Sequence, residues 1–212
     1  MGLKERLKRN EGLKRFVHWL LVPKRQARPR LWVSWFVNPF YHKKGSGTLI
    51  RRRTRMDVLP WNAFTLGDHS TIEDFSTINN GVGNVEIGTN CRVGLGCTLI
   101  GPVTLKNDVR LAQNVVLSGL NHNYEDVTVP IFQQGVSTSP ITVEEDVWIG
   151  ANTTVVAGVT IGKHTVVAGG SVVTKDIPPY SVAVGNPARV VKQFNHHTGE
   201  WERVQKKKAV IA

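Results

Sequence analysis

Aliphatic residues recur at every sixth position along most of this chain. The series runs Leu66, Ile72 and Ile78, then, after three extra residues, Ile87, Val93, Leu99, Leu105, Leu111 and Leu117. It breaks off and resumes as Val143, Ile149, Val155, Ile161, Val167 and Val173. Four positions beyond each aliphatic stands a smaller side chain, which is Ser, Thr, Val or Cys in thirteen of the fifteen hexads. The exceptions are Asn121, where the series opens, and Ile177, where it ends. A period of six is neither the 3.6 of a helix nor the 2 of an alternating strand. It fits a short strand followed by a tight corner. The large aliphatic fills the interior and the small residue sits at the bend. Runs such as "IGTN" and "IGAN" supply Gly or Asn, which tolerate the positive φ of a tight corner. Three such faces make one eighteen-residue coil, so fifteen hexads predict five coils stacked as a solenoid. The expected fold is all-β, a parallel β-helix over residues 62–192 with a loop inserted at 121–140.

Residues 1–61 lie outside this rhythm. Leu13, Phe16, Val17, Leu20 and Leu21 fall at helical spacing and predict a partly helical N-terminal segment. Residues 193–212 are expected as a short helical or frayed tail.

Charge changes the picture more than composition does. Residues 1–60 hold 16 Lys/Arg against 3 Asp/Glu, whereas residues 61–188 hold 5 against 11. A main domain that bound nucleic acid would not be acidic, so no nucleic-acid partner is expected. The two cysteines, Cys91 and Cys97, both occupy small-residue positions of the repeat and read as filler in a reducing compartment. No apolar run reaches the length of a membrane-spanning helix.

The repeat, its break at "LSGLNHNYED" and its return at "VEEDVWIG" resemble the hexapeptide-repeat acyltransferases, and within them the sugar O-acetyltransferase branch. The likeness covers about residues 66–192. It implies a left-handed coil, although the usual crossover rule favours the right hand. It also implies acetyl-CoA as acyl donor, a carbohydrate acceptor, a homotrimer with acetyl-CoA lodged between neighbouring solenoids, and a cytoplasmic enzyme of surface-polysaccharide assembly. His122 matches the family's general base, five residues past Leu117 at the root of the loop. An imidazole takes a hydroxyl proton near neutral pH, which suits that role. Glu125, Asp126 or a backbone carbonyl is expected to fix its tautomer, and Glu125 is preferred.

By the matching positions, Trp148 lines the pantetheine arm. Ala151, Gly169, Thr174 and Lys175 contact CoA, and Arg189 and Lys192 face its phosphates. The relatives compared carry Ser where this chain has Ala151, so one side-chain hydrogen bond is absent. Pro178–Pro179 and Asn186–Pro187 are expected to end the ladder. No metal is expected. A zinc enzyme on this fold needs convergent histidines, and His122 has none within forty residues on either side.

Three alternatives stay open at this point. An N-acyltransferase on an amino-sugar nucleotide and a non-catalytic β-helix scaffold both fit the repeat. The basic, aromatic segment 1–61 either caps the first coil or contacts an anionic membrane surface at its cytoplasmic face.

Overall fold

The computed structural model describes residues 10–204. Three parallel sheets form the faces of a prism. Face A stacks Lys43–Lys44, Phe64–Leu66, Val85–Ile87, Val103–Leu105, Ile141–Val143 and Thr160–Ile161. Face B stacks Leu49–Ile50, Thr71–Ile72, Arg92–Val93, Arg110–Leu111, Trp148–Ile149 and Val166–Val167. Face C stacks Arg55–Asp57, Thr77–Asn79, Thr98–Ile100, Val116–Ser118, Thr154–Val155 and Val172–Val173. The chain visits A, B and C in turn, giving the left-handed parallel β-helix.

Stacking explains the period of six. On face A, Leu66, Ile87, Leu105, Val143 and Ile161 pair in register, each above the last. All fifteen aliphatics of the series are at most 3% exposed. Each contributes about 1.5–3 kcal/mol by leaving water. The small positions do more than fill space. Ser70 Oγ donates to the Gly88 carbonyl at 2.7 Å, and Ser76 Oγ to that of Gly94 at 2.9 Å. Cys91 and Cys97 donate to Lys106 and Ala112 at 2.9 and 3.0 Å. Each bond ties a corner to the coil above it. Corners pack closely as well. A Cβ on Gly150 would stand 2.4 Å from the amide nitrogen of Gly169.

The solenoid has six coils rather than five, and it begins at Lys43 rather than at residue 62. The first coil pairs Lys44, Ile50 and Met56 with Leu66, Ile72 and Ile78. A lysine and a methionine at aliphatic positions hide the rhythm. Between the first and second coils, the buried Asn80 side chain accepts from the Leu59 amide at 2.7 Å and donates to the Leu59 and Asn62 carbonyls. Val82, counted as a small corner residue, is exposed.

The tail also departs from expectation. The strand Ser181–Val184 extends face B, then Arg189–Asn195 and Glu200–Arg203 add to it antiparallel. Phe194 packs against Trp201 at a centroid distance of 5.6 Å, and Tyr180 against His164 at 5.6 Å. These aromatics hold the hairpin to the body in place of a helix or frayed end. Lys206–Lys208 fall outside the described residues.

At the other end, Asn10 caps a helix, Glu11–Leu21, its side chain accepting from the Leu13 amide at 3.0 Å. A π-helical turn, Val33–Val37, and a helical turn, Asn38–Tyr41, follow. This segment is tethered by buried Val22 and Val33 and by a bond from Asn38 Nδ2 to the Val58 carbonyl at 2.8 Å. Arg28 adds a contact to buried Asp57 at 3.8 Å.

Candidate active site

The ladder breaks between Ser118, on face C, and Ile141, on face A. The inserted residues therefore leave from the edge where C meets A, between the fourth and fifth coils. The loop starts as an antiparallel hairpin that pairs Leu120–His122 with Val136–Thr138, and His122 faces Val136 across it. Its root is fixed by Ser139 N–H donating to the Gly119 carbonyl at 2.9 Å, and by Gly158 N–H donating to Ser139 at 3.2 Å.

Gln134 sews the outer part of the loop together. Its amide donates to the Asp126 and Val129 carbonyls at 2.8 and 2.7 Å and accepts from the Asp126 N–H at 3.1 Å. Asp126 in turn accepts from the Thr128 hydroxyl and amide, and these bonds hold its carboxyl below the ordinary range.

His122 thus stands on a two-stranded mount, solvent-exposed, at the edge of a rigid prism. Among the described residues neither carboxylate that was expected to orient it does so. Glu125 accepts from the Tyr124 amide at 2.9 Å, and Asp126 is taken up by Thr128. The imidazole hydrogen-bonds no other described residue.

The residues assigned to CoA fall into three groups. Ala151 and Gly169 share the corner between faces B and C. The Ala151 carbonyl accepts from the Gly170 N–H at 2.8 Å, and a Cβ on Gly169 would reach 3.0 Å from that oxygen. Thr174 and Lys175 are exposed at the C–A edge, where His122 also lies, but past the last strand of face C. Trp148 is exposed on face B, and Arg189 and Lys192 are exposed on the hairpin that extends the same face. Trp148, Val166, Val182 and Lys192 pair in succession, so Trp148 and Lys192 stand three strand spacings apart, about 14 Å.

Face B lies opposite the C–A edge of a three-sided prism. One chain therefore does not bring Trp148 to His122.

Sequence reading missed two features here. Arg92 and Arg110 sit in register beside Trp148 on face B. The position just before each ladder aliphatic faces outward, and reading along it would have found them. Gln134 carries no sequence signal, because its three bonds exist only after the loop folds. Among the described residues no cluster of His, Cys, Asp and Glu could hold a metal ion. A cavity of about 470 Å³ lies elsewhere, at the first coil, lined by Asn38, His42, Met56 and Phe64 among others.

A six-coil β-helix interrupted by one histidine-bearing loop is the architecture of a hexapeptide-repeat transferase. Sequence comparison agrees. The family pattern described as bacterial transferase hexapeptide (six repeats) matches residues 140–175, and that described as hexapeptide repeat of succinyl-transferase matches residues 84–118. The galactoside O-acetyltransferase of Escherichia coli K12 is 37% identical over 134 residues, which are 62% of this chain and 64% of that protein. The match thus spans just under two thirds of that relative's length. The galactoside O-acetyltransferase of Lactococcus lactis is 32% identical over 144 residues, 66% of this chain and 68% of the relative. The chain belongs to the hexapeptide-repeat acyltransferase family, in the branch of the sugar O-acetyltransferases. In fold it is similar to AntD, an N-acyltransferase from Bacillus cereus solved with dTDP and 3-hydroxybutyryl-CoA. The TM-score is 0.64 at 19% identity, covering 78% of this chain and 90% of AntD.

Proposed function

We propose that this protein is an acetyl-CoA-dependent O-acetyltransferase that esterifies a sugar hydroxyl, with His122 as general base. The observation that carries the proposal is the placement of His122. A rigid ladder opens at one edge, and the strand that leaves it presents an exposed imidazole with no hydrogen-bond partner among the described residues.

The chemistry follows from that placement. Imidazole takes the proton of the sugar hydroxyl as the oxygen attacks the thioester carbonyl carbon. The C–S bond breaks, and the imidazolium returns its proton to the departing thiolate. Backbone N–H groups stabilise the tetrahedral oxyanion.

The donor lies between two chains in this proposal. His122 stands at one edge, and Trp148 with Arg189 and Lys192 stands on the opposite face. A neighbouring copy turned by a threefold axis supplies the face that one copy's edge needs, which favours a homotrimer. Trp148 packs on the pantetheine arm. Ala151, Gly169, Thr174 and Lys175 line its path, and Arg189 and Lys192 meet the phosphates. Glu125, which does not bond the imidazole, is assigned to the acceptor sugar in this proposal. By family analogy alone the acceptor belongs to surface-polysaccharide assembly, and the enzyme works in the cytoplasm, at or near the membrane.

The test is direct. Purified protein is given acetyl-CoA and a panel of sugars, amino sugars and nucleotide sugars, with thiol release as the readout. Release that depends on a hydroxyl sugar supports the proposal. Release with amino sugars alone moves the protein to N-acylation. No release with any acceptor removes the catalytic assignment.

A further inference from the structure

We propose that the N-terminal end of the molecule docks on an anionic lipid bilayer. The inference is independent of the reaction assigned above. The helix Glu11–Leu21 carries Leu13, Phe16 and Leu20 at i, i+3 and i+7, one face of the helix, yet none of its residues is buried. The following turns add Trp35, Phe36 and Phe40, which are 68%, 68% and 85% exposed. An exposed apolar surface of this kind, rich in aromatics, marks an interaction site rather than a cap. A cap would bury it, but only its tethers are buried.

The charge around these side chains identifies the partner. Residues 10–44 hold eight Lys/Arg against Glu11 alone. Exposed Lys24, Arg25, Lys43 and Lys44 lie among them. Aromatic rings suit the headgroup layer, and cations nearby suit anionic lipids. Pairing this surface with its own copy about a twofold axis would set like charges together. The rest of the molecule reinforces the orientation. Residues 61–188, with 5 Lys/Arg against 11 Asp/Glu, are repelled by the surface that attracts the N-terminal end. No helix among the described residues is long and apolar enough to cross a membrane, so the contact is peripheral. The first coil then lies nearest the lipid, and the His122 loop stands three to four strand spacings above it, roughly 15–20 Å.

The test uses the full chain and vesicles of phosphatidylcholine with or without phosphatidylglycerol, read by flotation at low and high salt. A Trp35→Ser/Phe36→Ser/Phe40→Ser variant and a Lys24→Glu/Arg25→Glu variant are run beside it, with solution mass measured for each. The expected result is binding only to vesicles with phosphatidylglycerol, weakened by salt and weakened at least about tenfold by either variant, at unchanged mass. Absence of vesicle binding overturns the proposal. So does binding that survives both variants. Loss of mass in the aromatic variant overturns it as well, because the patch is then an interface between copies of this chain.

Discussion

Leu117 and Phe132 stand fifteen residues apart and end in opposite surroundings. Leu117 closes the fourth coil and is fully buried, whereas Phe132, in the inserted loop, is 78% exposed. Both are large and apolar, so composition does not separate them. Stacking does. Leu117 has Leu99 in register on one side and Val155 on the other. Phe132 has no coil above or below it. The ladder converts apolar residues into stability, and the loop leaves them free to meet something else. With Tyr124, Val127 and Ile131 also exposed, the loop that carries His122 presents apolar side chains to solvent.

The largest effect that this contrast predicts falls on activity. His122→Ala should lower turnover by about 10²–10⁴-fold while leaving melting temperature and CoA affinity almost unchanged. An exposed side chain with no hydrogen bond to the described residues has little stability to lose. A variant that melts early would instead place His122 in the structural class with Leu117.

Stability should divide the two regions in the other direction. Leu117→Ala should cost about 2–5 kcal/mol in denaturant unfolding, because the coils on either side hold the cavity open. Phe132→Ala should stay within about 0.5 kcal/mol. Equal losses would break the comparison.

Reactivity sharpens it further. Burial pushes the Cys97 thiol up to about 11 and raises that of Cys91, and both thiols donate to carbonyls of the next coil. Iodoacetamide at mildly alkaline pH should label neither residue until the protein is unfolded.

The smallest effect concerns the first coil. Burial, helped by Lys44, lowers the pKa of His42 below its ordinary 6.5. Its Nδ1 accepts from the Phe64 amide at 3.2 Å, which favours the neutral ring. The unfolded chain therefore binds the proton more readily. Stability is fully present above about 6.5 and falls as pH drops from there through the lowered value. A shallow decline in melting temperature over that window, absent in His42→Asn, is the expected record.

Much of this architecture is legible in the sequence. The period of six set the faces, the direction of every ladder side chain and the point where the loop departs. The first coil escaped because Lys44 occupies an aliphatic position at an end that opens to solvent. Its spacing to the next coil is also 22 residues rather than 18, as Lys44 to Leu66 shows. The terminal hairpin escaped because contacts among Tyr180, Phe194 and Trp201 specify it, and no local period does. At the candidate site, the position of His122 at the root of the loop was legible because one histidine stood at the only long break in the series. That neither neighbouring carboxylate bonds it was not. Glu125 and Asp126 are close in sequence, but each is satisfied by its own turn.

The central claim is that one chain's loop works against another chain's face. Mixing subunits tests it most directly. His122→Ala and Trp148→Ala chains, each weak alone at low acetyl-CoA, are unfolded, combined in equal amounts and refolded together. If each site takes its imidazole from one chain and its tryptophan from the next, about a quarter of the sites are intact and turnover recovers to match. If the mixture stays as weak as its components, both groups belong to one chain and the shared site is wrong.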